Sequence, residues 1–487
     1  MQKFLLLSTV IPAVSFAATP QKSREVAVQH PNIILIITDQ HNVDMIHALG
    51  GANSQYVSTP HLDRLVNSGY SFTNCWCTNP LSVPSRFAML TGESPLGYGV
   101  RNNYPPPELR EKIVPMLEQR AMGAWFRKAG YQTYYGGKVH APFANGNSMY
   151  NDIKGYGFEF IETGDRQPLA DAGSKLLRER TSTDPFLLVL SFINPHDICM
   201  EANEMIQAGG KRGEEVDRNS QRYRQIMGDL QPVRDAYMAK GSECFESDAV
   251  VPLPSNFAVA DKHPVARERA NANPLRTDAE WRRYIWAYHR LVERVDRQIG
   301  QVLDALDASP FRDHTFVVFT SDHGEMAASH QLVGKNILLN ECQKVPFVIS
   351  GKGITPRTDA QTVVNNGLDL LPTLCGIAGI AAPEELAGSS LWGLVQGMQD
   401  AKPMRDYLFL ECFNAFQLLQ QGRYKYTICE RVNDFPEMFV DLANDPLEKG
   451  NAIDDPASKA KIEELRIIMQ RELATHGYTL TKTKSKK

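Results

Sequence analysis

Four short apolar runs constrain this chain more than any other feature: Ile33–Ile37, Phe186–Ile193, Phe316–Thr320 and Val345–Ile349. Each is continuous rather than alternating, and Val, Ile and Phe dominate. A strand with one wet face alternates in polarity, whereas a strand that is apolar throughout must be covered on both faces. The runs therefore predict central strands of a parallel sheet with helices on either side. The text between them supplies the helices. Thr277-Asp278-Ala279-Glu280 reads as a capping box. After it, Trp281, Tyr284, Ile285, Tyr288, Leu291, Val292, Val295, Ile299 and Val302 recur at spacings of three and four, which predicts one amphipathic helix of about 30 residues feeding the strand at Phe316. Leu65, Leu90 and Trp125-Phe126 mark shorter helices. The order is βαβα, so the expected fold class is α/β, a doubly wound, mostly parallel sheet flanked by helices.

Two changes of texture divide the 487 residues. From Glu201 to about Asn273 the chain is polar and charged, with little apolar periodicity (KRGEEVDRNSQRYR is typical). This predicts a long insertion over the sheet's edge, either a disordered loop or a lid facing the substrate. Near Ala401 the text changes again. Tyr407–Glu411, Ala415–Leu419, Tyr424–Cys429 and Glu437–Asp441 read as short strands and Ala457–Ala474 as a helix. The expected organisation is thus an α/β domain over residues 19–400 and a small α+β subdomain over 401–487. Residues 1–18 carry Lys3, the apolar run Phe4–Ala17 and small residues at the end, the pattern of a cleaved secretory signal peptide. A periplasmic or secreted protein is expected. No cysteine follows the run to carry a lipid anchor, and no later run is long enough for a membrane span. The charge balance, 52 Lys+Arg against 56 Asp+Glu, provides no basic field to hold a nucleic acid. Eight cysteines allow too many pairings for the sequence to choose among them.

In doubly wound sheets chemistry gathers beyond the C-terminal ends of the strands. Thr38-Asp39-Gln40-His41 follows the first run, Asn194-Pro195-His196-Asp197 the second and Ser321-Asp322-His323-Gly324-Glu325 the third. Asp39, Asp322 and His323 could converge on one metal ion, with Gln40 either adding its amide oxygen or leaving that position to water. Carboxylates with an amide oxygen suit a hard divalent cation such as Ca²⁺, and His323 keeps Mg²⁺, Mn²⁺ and Zn²⁺ open. His41, Asp44, His47, Asp197 and His330 are further polar groups expected near the mouth.

The sharpest segment is Leu81-Ser82-Val83-Pro84-Ser85-Arg86, followed by Leu90-Thr91-Gly92. It resembles the type I sulfatase signature, C/S-x-P-S-R followed by L-T-G. Gly130-Tyr131-Gln132-Thr133 with Gly136-Gly137-Lys138-Val139-His140 is similar to that family's G-Y-x-T and G-K-W-H segments, with Val139 where Trp is usual. Asn194-Pro195-His196, Ser321-Asp322-His323-Gly324, Lys335 ahead of Val345-Pro346, and Asp369-Leu370-Leu371-Pro372 resemble further family segments. The resemblance implies an alkaline-phosphatase-like fold and a serine-type sulfatase. In it Ser82 is oxidised after synthesis to formylglycine by a dedicated radical iron–sulfur maturating enzyme before export. It also places residue 82 against a Ca²⁺ or other divalent ion held by Asp39, Gln40, Asp322 and His323.

A sulfate monoester is a stable anion, so its charge must be neutralised before a nucleophile can approach sulfur. By the resemblance, Arg86, Lys138 and Lys335 grip its oxygens and one hydroxyl of the hydrated aldehyde attacks. His196 then protonates the departing oxygen, and His140 takes the proton from the second hydroxyl. The expected substrate is a sulfated carbohydrate, such as a glycosaminoglycan or another sulfated glycan, carrying an O- or N-sulfate. Two other readings stay open at this point: a phosphodiesterase or phosphonate monoester hydrolase of the same superfamily, and a non-catalytic glycan-binding protein.

Overall fold

Ile33, Leu35 and Ile37 face one apolar layer and Ile34 and Ile36 the other, and all five are buried. This two-sided burial is why the run carries no polar residue. A computed structural model of the chain describes residues 30–143, 153–202, 221–247, 250–273, 275, 277–398, 405–413, 415–430 and 436–480. In chain order the strands are β1 (Asn32–Asp39), β2 (Gly69–Phe72), β3 (Cys75–Trp76), β4 (Gln132–Gly137), β5 (Glu159–Glu162), β6 (Phe186–Pro195), β7 (Thr315–Ser321), β8 (Phe347–Ser350), β9 (Arg357–Asp359), β10 (Val364–Asn365), β11 (Tyr407–Cys412), β12 (Ala415–Gln420), β13 (Tyr424–Cys429) and β14 (Glu437–Asp441). The main sheet has eight strands in the order β5-β4-β6-β1-β7-β8-β2-β9. Strands β5, β4, β6, β1 and β7 run parallel. Helices Ser82–Thr91, Met122–Lys128 and Asn366–Ala378 cover one face, and helices Pro60–Ser68, Gln167–Glu179 and Asp278–Asp307 the other. The doubly wound, mostly parallel architecture is as expected.

The run Val345–Ile349 departs from the expectation. It supplies β8, which is antiparallel to both neighbours, β7 and β2. The connection after β7 holds only the short helical turns Ser329–Gln331 and Asn340–Gln343. No crossover helix carries the chain back across the sheet, so β8 starts at the end where β7 stopped. Strands β2, β4, β5 and β9 carry no long apolar run and were not legible as strands.

The Asp278–Asp307 helix has the predicted capping box and the predicted length of 30 residues. At 1.5 Å per residue it is about 45 Å long, whereas a seven-residue strand covers roughly 23 Å. Its second half, from Val295 to Leu306, packs on the sheet. Its first half overshoots the strands and carries a separate core. There Leu230, Val233, Phe245 and Val251 of the polar insertion meet Trp281, Tyr284, Ile285, Trp286 and Tyr288. The described part of that insertion is neither an irregular loop nor a cover for the sheet's edge. It contains the helix Gln221–Met238, which with Phe245 and Val251 sits on the overhanging helix, and the helix Pro264–Ala272, whose Val265 and Ala266 pack against Met326, Leu332 and Ile337–Leu339 of the segment after β7. Its few apolar anchors are too widely spaced to show a period.

Strands β11 to β14 form a four-stranded antiparallel sheet, with the helix Lys459–Thr475 on one face. The other face meets the main body through Trp76 against Leu408, Leu410 and Leu419, and through Leu338, Leu339 and Cys342 against Cys412, Ala415 and Cys429. Lys425 is one polar link between them. It reaches Glu448 at 2.5 Å, Gln343 Oε1 at 3.1 Å, Asn340 Oδ1 at 3.2 Å and Leu338 O at 3.3 Å. None of the eight cysteines is in a disulfide. No helix among the described residues is long and apolar enough to cross a membrane. The signal-peptide segment 1–18 and the 400/401 boundary lie outside the described residues.

Removing one partner of a buried ion pair strands the other charge. Lys425→Ala is expected to cost about 3–5 kcal/mol in denaturant unfolding. The double variant Lys425→Met, Glu448→Leu should cost less than Lys425→Ala. A neutral Lys425→Ala would show that the pair does not tie the C-terminal sheet to the body.

Candidate active site

Four neighbouring strands of the sheet, β4, β6, β1 and β7, each end in residues singled out by the sequence. Lys138 and His140 follow β4, His196 follows β6, Asp39 and Gln40 close β1, and Asp322 and His323 follow β7. Register brings the two aspartates together. Thr38 pairs with Ser321 across the parallel strands, so the next residue of each strand emerges at the same level. Ser321 Oγ ties the ends, donating to Thr38 O and accepting from His41 N, both at 3.0 Å. The chain then turns at Gln40, whose φ is +67°, and its N–H donates to Asp322 Oδ1 at 3.0 Å. On β4 the close approach falls at Gly137 (φ +86°). A Cβ there would lie 2.2 Å from Ser191 O, so only glycine lets Lys138 reach the site.

The helix Ser82–Thr91 enters from the sheet's face with all ten residues buried. Ser82 is its first residue, and Arg86 lies one turn later on the same side. Arg86 bridges the aspartates, Nη2 to Asp39 Oδ2 at 2.9 Å and Nε to Asp322 Oδ2 at 3.0 Å. Its Nη1 donates to Ser191 Oγ at 2.7 Å and to Lys138 O at 3.1 Å. Each of its three nitrogens is thus engaged by the protein. The guanidinium so held braces the two carboxylates. Lys138 Nζ is 2.6 Å from Asp39 Oδ2, and Lys335, from the loop after β7, is 3.8 Å from Asp39 Oδ1. Ser82 Oγ lies 3.1 Å from His323 Nε2 and 3.5 Å from Asp39 Oδ2. His323 Nδ1 sits 3.0 Å from Gly324 O. An N–H there fixes the tautomer and leaves the Nε2 lone pair facing Ser82.

Asp39, Asp322 and His323 present three ligand atoms within 4.8 Å of one another, all buried. Asp39 Oδ1 is buried without a hydrogen-bond partner. An orphaned carboxylate oxygen beside a second carboxylate and an imidazole is a donor set that fits a divalent cation. Gln40 turns its Oε1 to the same place, where it accepts from Lys335 Nζ at 2.8 Å. The sulfatase model matches residues 31–380, and a model of the C-terminal part of N-sulphoglucosamine sulphohydrolase matches residues 328–475.

This chain belongs to the sulfatase family. A Δ4,5-hexuronate-2-O-sulfatase of Bacteroides thetaiotaomicron is 29% identical over 471 residues, covering 91% of this chain and 89% of the relative. The solved structure of a 2-O GAG sulfatase matches with a TM-score of 0.72 at 24% identity, covering 93% of this chain and 95% of that one. The phosphonate monoester hydrolase of Agrobacterium radiobacter shares the fold at a TM-score of 0.68 and 20% identity, covering 92% and 96%.

Electrostatics divides the residues of this sulfatase's site into distinct states. Burial alone would raise the Asp39 carboxyl, but the charges of Lys138, Lys335 and Arg86 hold it well below the usual range. Burial and the neighbouring Asp39 push Asp322 up to about 6, against Arg86. Burial, then Lys138 and Lys335, pushes His196 well down, and burial with Lys138 takes His140 to about 2. Both shifts favour the neutral imidazole. An anion arriving between Lys138 and Lys335 offsets those charges and favours a proton on His196.

Of the polar groups expected at the mouth, the buried Asp197, next to His196 in the chain, takes both Nε (3.1 Å) and Nη2 (2.6 Å) of Arg166. His41 is buried with its ring against Phe319, His47 bonds Ser54 O on the surface, and the buried His330 donates its backbone N–H to Asn256 O. None of these three joins the cluster. Sequence reasoning missed Asn103, whose Oδ1 accepts from Val83 N at 3.1 Å and holds the start of the Ser82 helix. It also missed Ser191, buried in the middle of an apolar strand. Neither carries a signal in a single sequence.

With Arg86 gone, two carboxylates face each other unbraced. Arg86→Met is expected to lose about 3–5 kcal/mol in calcium-free denaturant unfolding. The loss should shrink when calcium is added, because the cation takes over part of the neutralisation. An equal loss with and without calcium would sink this account.

Proposed function

We propose that this sulfatase hydrolyses sulfate esters of carbohydrates, glycosaminoglycan or other sulfated glycan fragments, after export and after oxidation of Ser82 to formylglycine by a serine-type maturating enzyme. The observation that carries the reading is the enclosure of Ser82 Oγ by His323, Asp39 and the ammonium groups beside Asp39. An attacking oxygen at this position is surrounded by the charge an incoming sulfate needs. The 2-O-sulfatase likeness supports a sugar substrate, and the signal-like segment 1–18 supports export.

A divalent cation on Asp39, Asp322, His323 and the Gln40 carbonyl would neutralise sulfate oxygens and acidify a hydroxyl on residue 82. The protein's own groups supply the rest. Lys138 and Lys335 flank Asp39 and face the charge on the sulfate oxygens. Arg86 keeps the two aspartates side by side despite their repulsion. His196, with its side chain about a quarter exposed and Nε2 at 4.0 Å from Asp39 Oδ1, stands at the open end to protonate the departing sugar oxygen. His140, a neutral imidazole on the β4 side, is suited to accept a proton from a second hydroxyl at residue 82. Breakdown of the resulting ester by C–O cleavage restores the aldehyde, an exit that an unmodified serine lacks.

Protein made with its maturating enzyme should show a Ser82 peptide lighter by two hydrogens in mass spectrometry, and Ser82→Ala should abolish sulfate release. Full turnover on unoxidised serine would end the proposal. Faster cleavage of phosphodiesters than of sulfate esters would move the chain to the other chemistry of this fold. His196→Ala should slow sugar sulfates far more than 4-nitrophenyl sulfate, whose leaving group needs no proton. Equal losses would remove His196 from the acid's role.

A further inference from the structure

Beside the site runs a buried chain of hydrogen bonds that the chemistry above leaves unused. Glu325 lies two residues beyond His323 and is fully buried. Its Oε1 accepts from the Tyr284 hydroxyl at 2.9 Å, from Ala327 N at 3.2 Å and from Gly334 N at 2.6 Å. Its Oε2 accepts from Gln40 Nε2. With three donors already on Oε1, Oε2 is the atom left to face Gln40, and a carboxylate only accepts. The NH₂ end of the Gln40 amide must therefore face Glu325.

An amide has two ends, so fixing one fixes the other. Gln40 Oε1 turns inward and takes Lys335 Nζ at 2.8 Å, beside the unpartnered Asp39 Oδ1. The Gln40 backbone is pinned separately by the bond from its N–H to Asp322 Oδ1, so the sense of the amide is what Glu325 determines. The Cys199 thiol lies 3.5 Å from both amide atoms and does not select between them. The opposite sense would aim NH₂ at the Lys335 ammonium, driving the lysine away and removing an oxygen from the donor set.

We propose that Glu325 is a positioning residue: acting through the Gln40 amide, it holds an acceptor oxygen toward Lys335 and the cation site. This rests on the reading of Asp39, Asp322 and His323 as a divalent-cation site in a sulfatase. A purely structural role for Glu325, holding the 325–334 loop through Ala327 and Gly334, makes a different prediction.

Calcium titrations by calorimetry on the intact protein separate the two, using wild type, Glu325→Gln, Gln40→Ala and the double variant. Glu325→Gln keeps the shape but can present its own NH₂ to Gln40 and so permit the amide to reverse. It is expected to weaken calcium binding about tenfold or more when Gln40 is present, and hardly at all in the Gln40→Ala background. The KM for a sulfate ester should rise with it, because Lys335 loses its acceptor. Glu325→Asp, which keeps an acceptor, should restore much of the binding if Glu325→Gln folds poorly. Equal losses in both backgrounds, or no loss in either, would overturn the role of Glu325. A wild-type protein that binds no calcium would instead overturn the cation-site reading beneath it.

Discussion

Two carboxylates at the ends of adjacent parallel strands repel each other, and the geometry of the site depends on how that repulsion is held. Strand register puts Asp39 and Asp322 at one level. Arg86 spans them from a buried helix, and Lys138 closes on Asp39 from two strands away. The arrangement carries more cationic groups than the two acids need. The surplus faces the place where an anion would sit, while Asp39 keeps one buried oxygen without a hydrogen-bond partner. A centre that attracts both a metal ion and a sulfate ester needs both features.

The supports reach well beyond the cluster. The helix that begins at Ser82 is held at its start by Asn103, just past Arg101. Arg101 is anchored in turn by Glu430, Tyr478 and Cys412 O of the C-terminal region. Lys425 binds the segment 338–343 that follows Lys335. The C-terminal sheet therefore steadies two loops of the site without contributing a reacting group. This explains physically why such a sheet stays packed on the main body. The overhanging first half of the long helix plays a similar part on the other side, because Tyr284 and Tyr288 extend from it to Glu325 and to the Gln40 carbonyl.

Much of the fold was legible because burial writes directly into sequence. Ile33–Ile37, Phe186–Ile193 and Phe316–Thr320 became β1, β6 and β7 because strands covered on both faces are built almost wholly from apolar residues. The capping box at Thr277 and the spacing after it gave the start and length of the long helix. The strands at the sheet's margins, Gly69–Phe72 and Glu159–Glu162 among them, escaped because they are short and bounded by no clear period. Strand β4 hid behind tyrosines and glycines. The direction of β8 was illegible for another reason. An apolar run records that a strand is buried but not which way it points, and that depends on the length and form of the connection before it.

The sequence by itself determined the chemistry present at the site: Ser82 and Arg86 one helical turn apart, aspartates at two strand ends, and lysines and histidines in segments that resemble one enzyme family. Short-range spacing and residue type are properties of the chain alone. Only the tertiary structure decided how those groups divide their work. It set Arg86 as a bridge between the two aspartates. It brought Glu325 to the far end of the Gln40 amide, although 285 residues separate them in the chain. It drew Asn103 and Ser191 into the framework and left His41, His47 and His330 out of it. Hydrogen-bond geometry and repulsion between like charges act through space over a few ångströms, and which residues come that close is settled by the packing of strands and helices far apart in the chain.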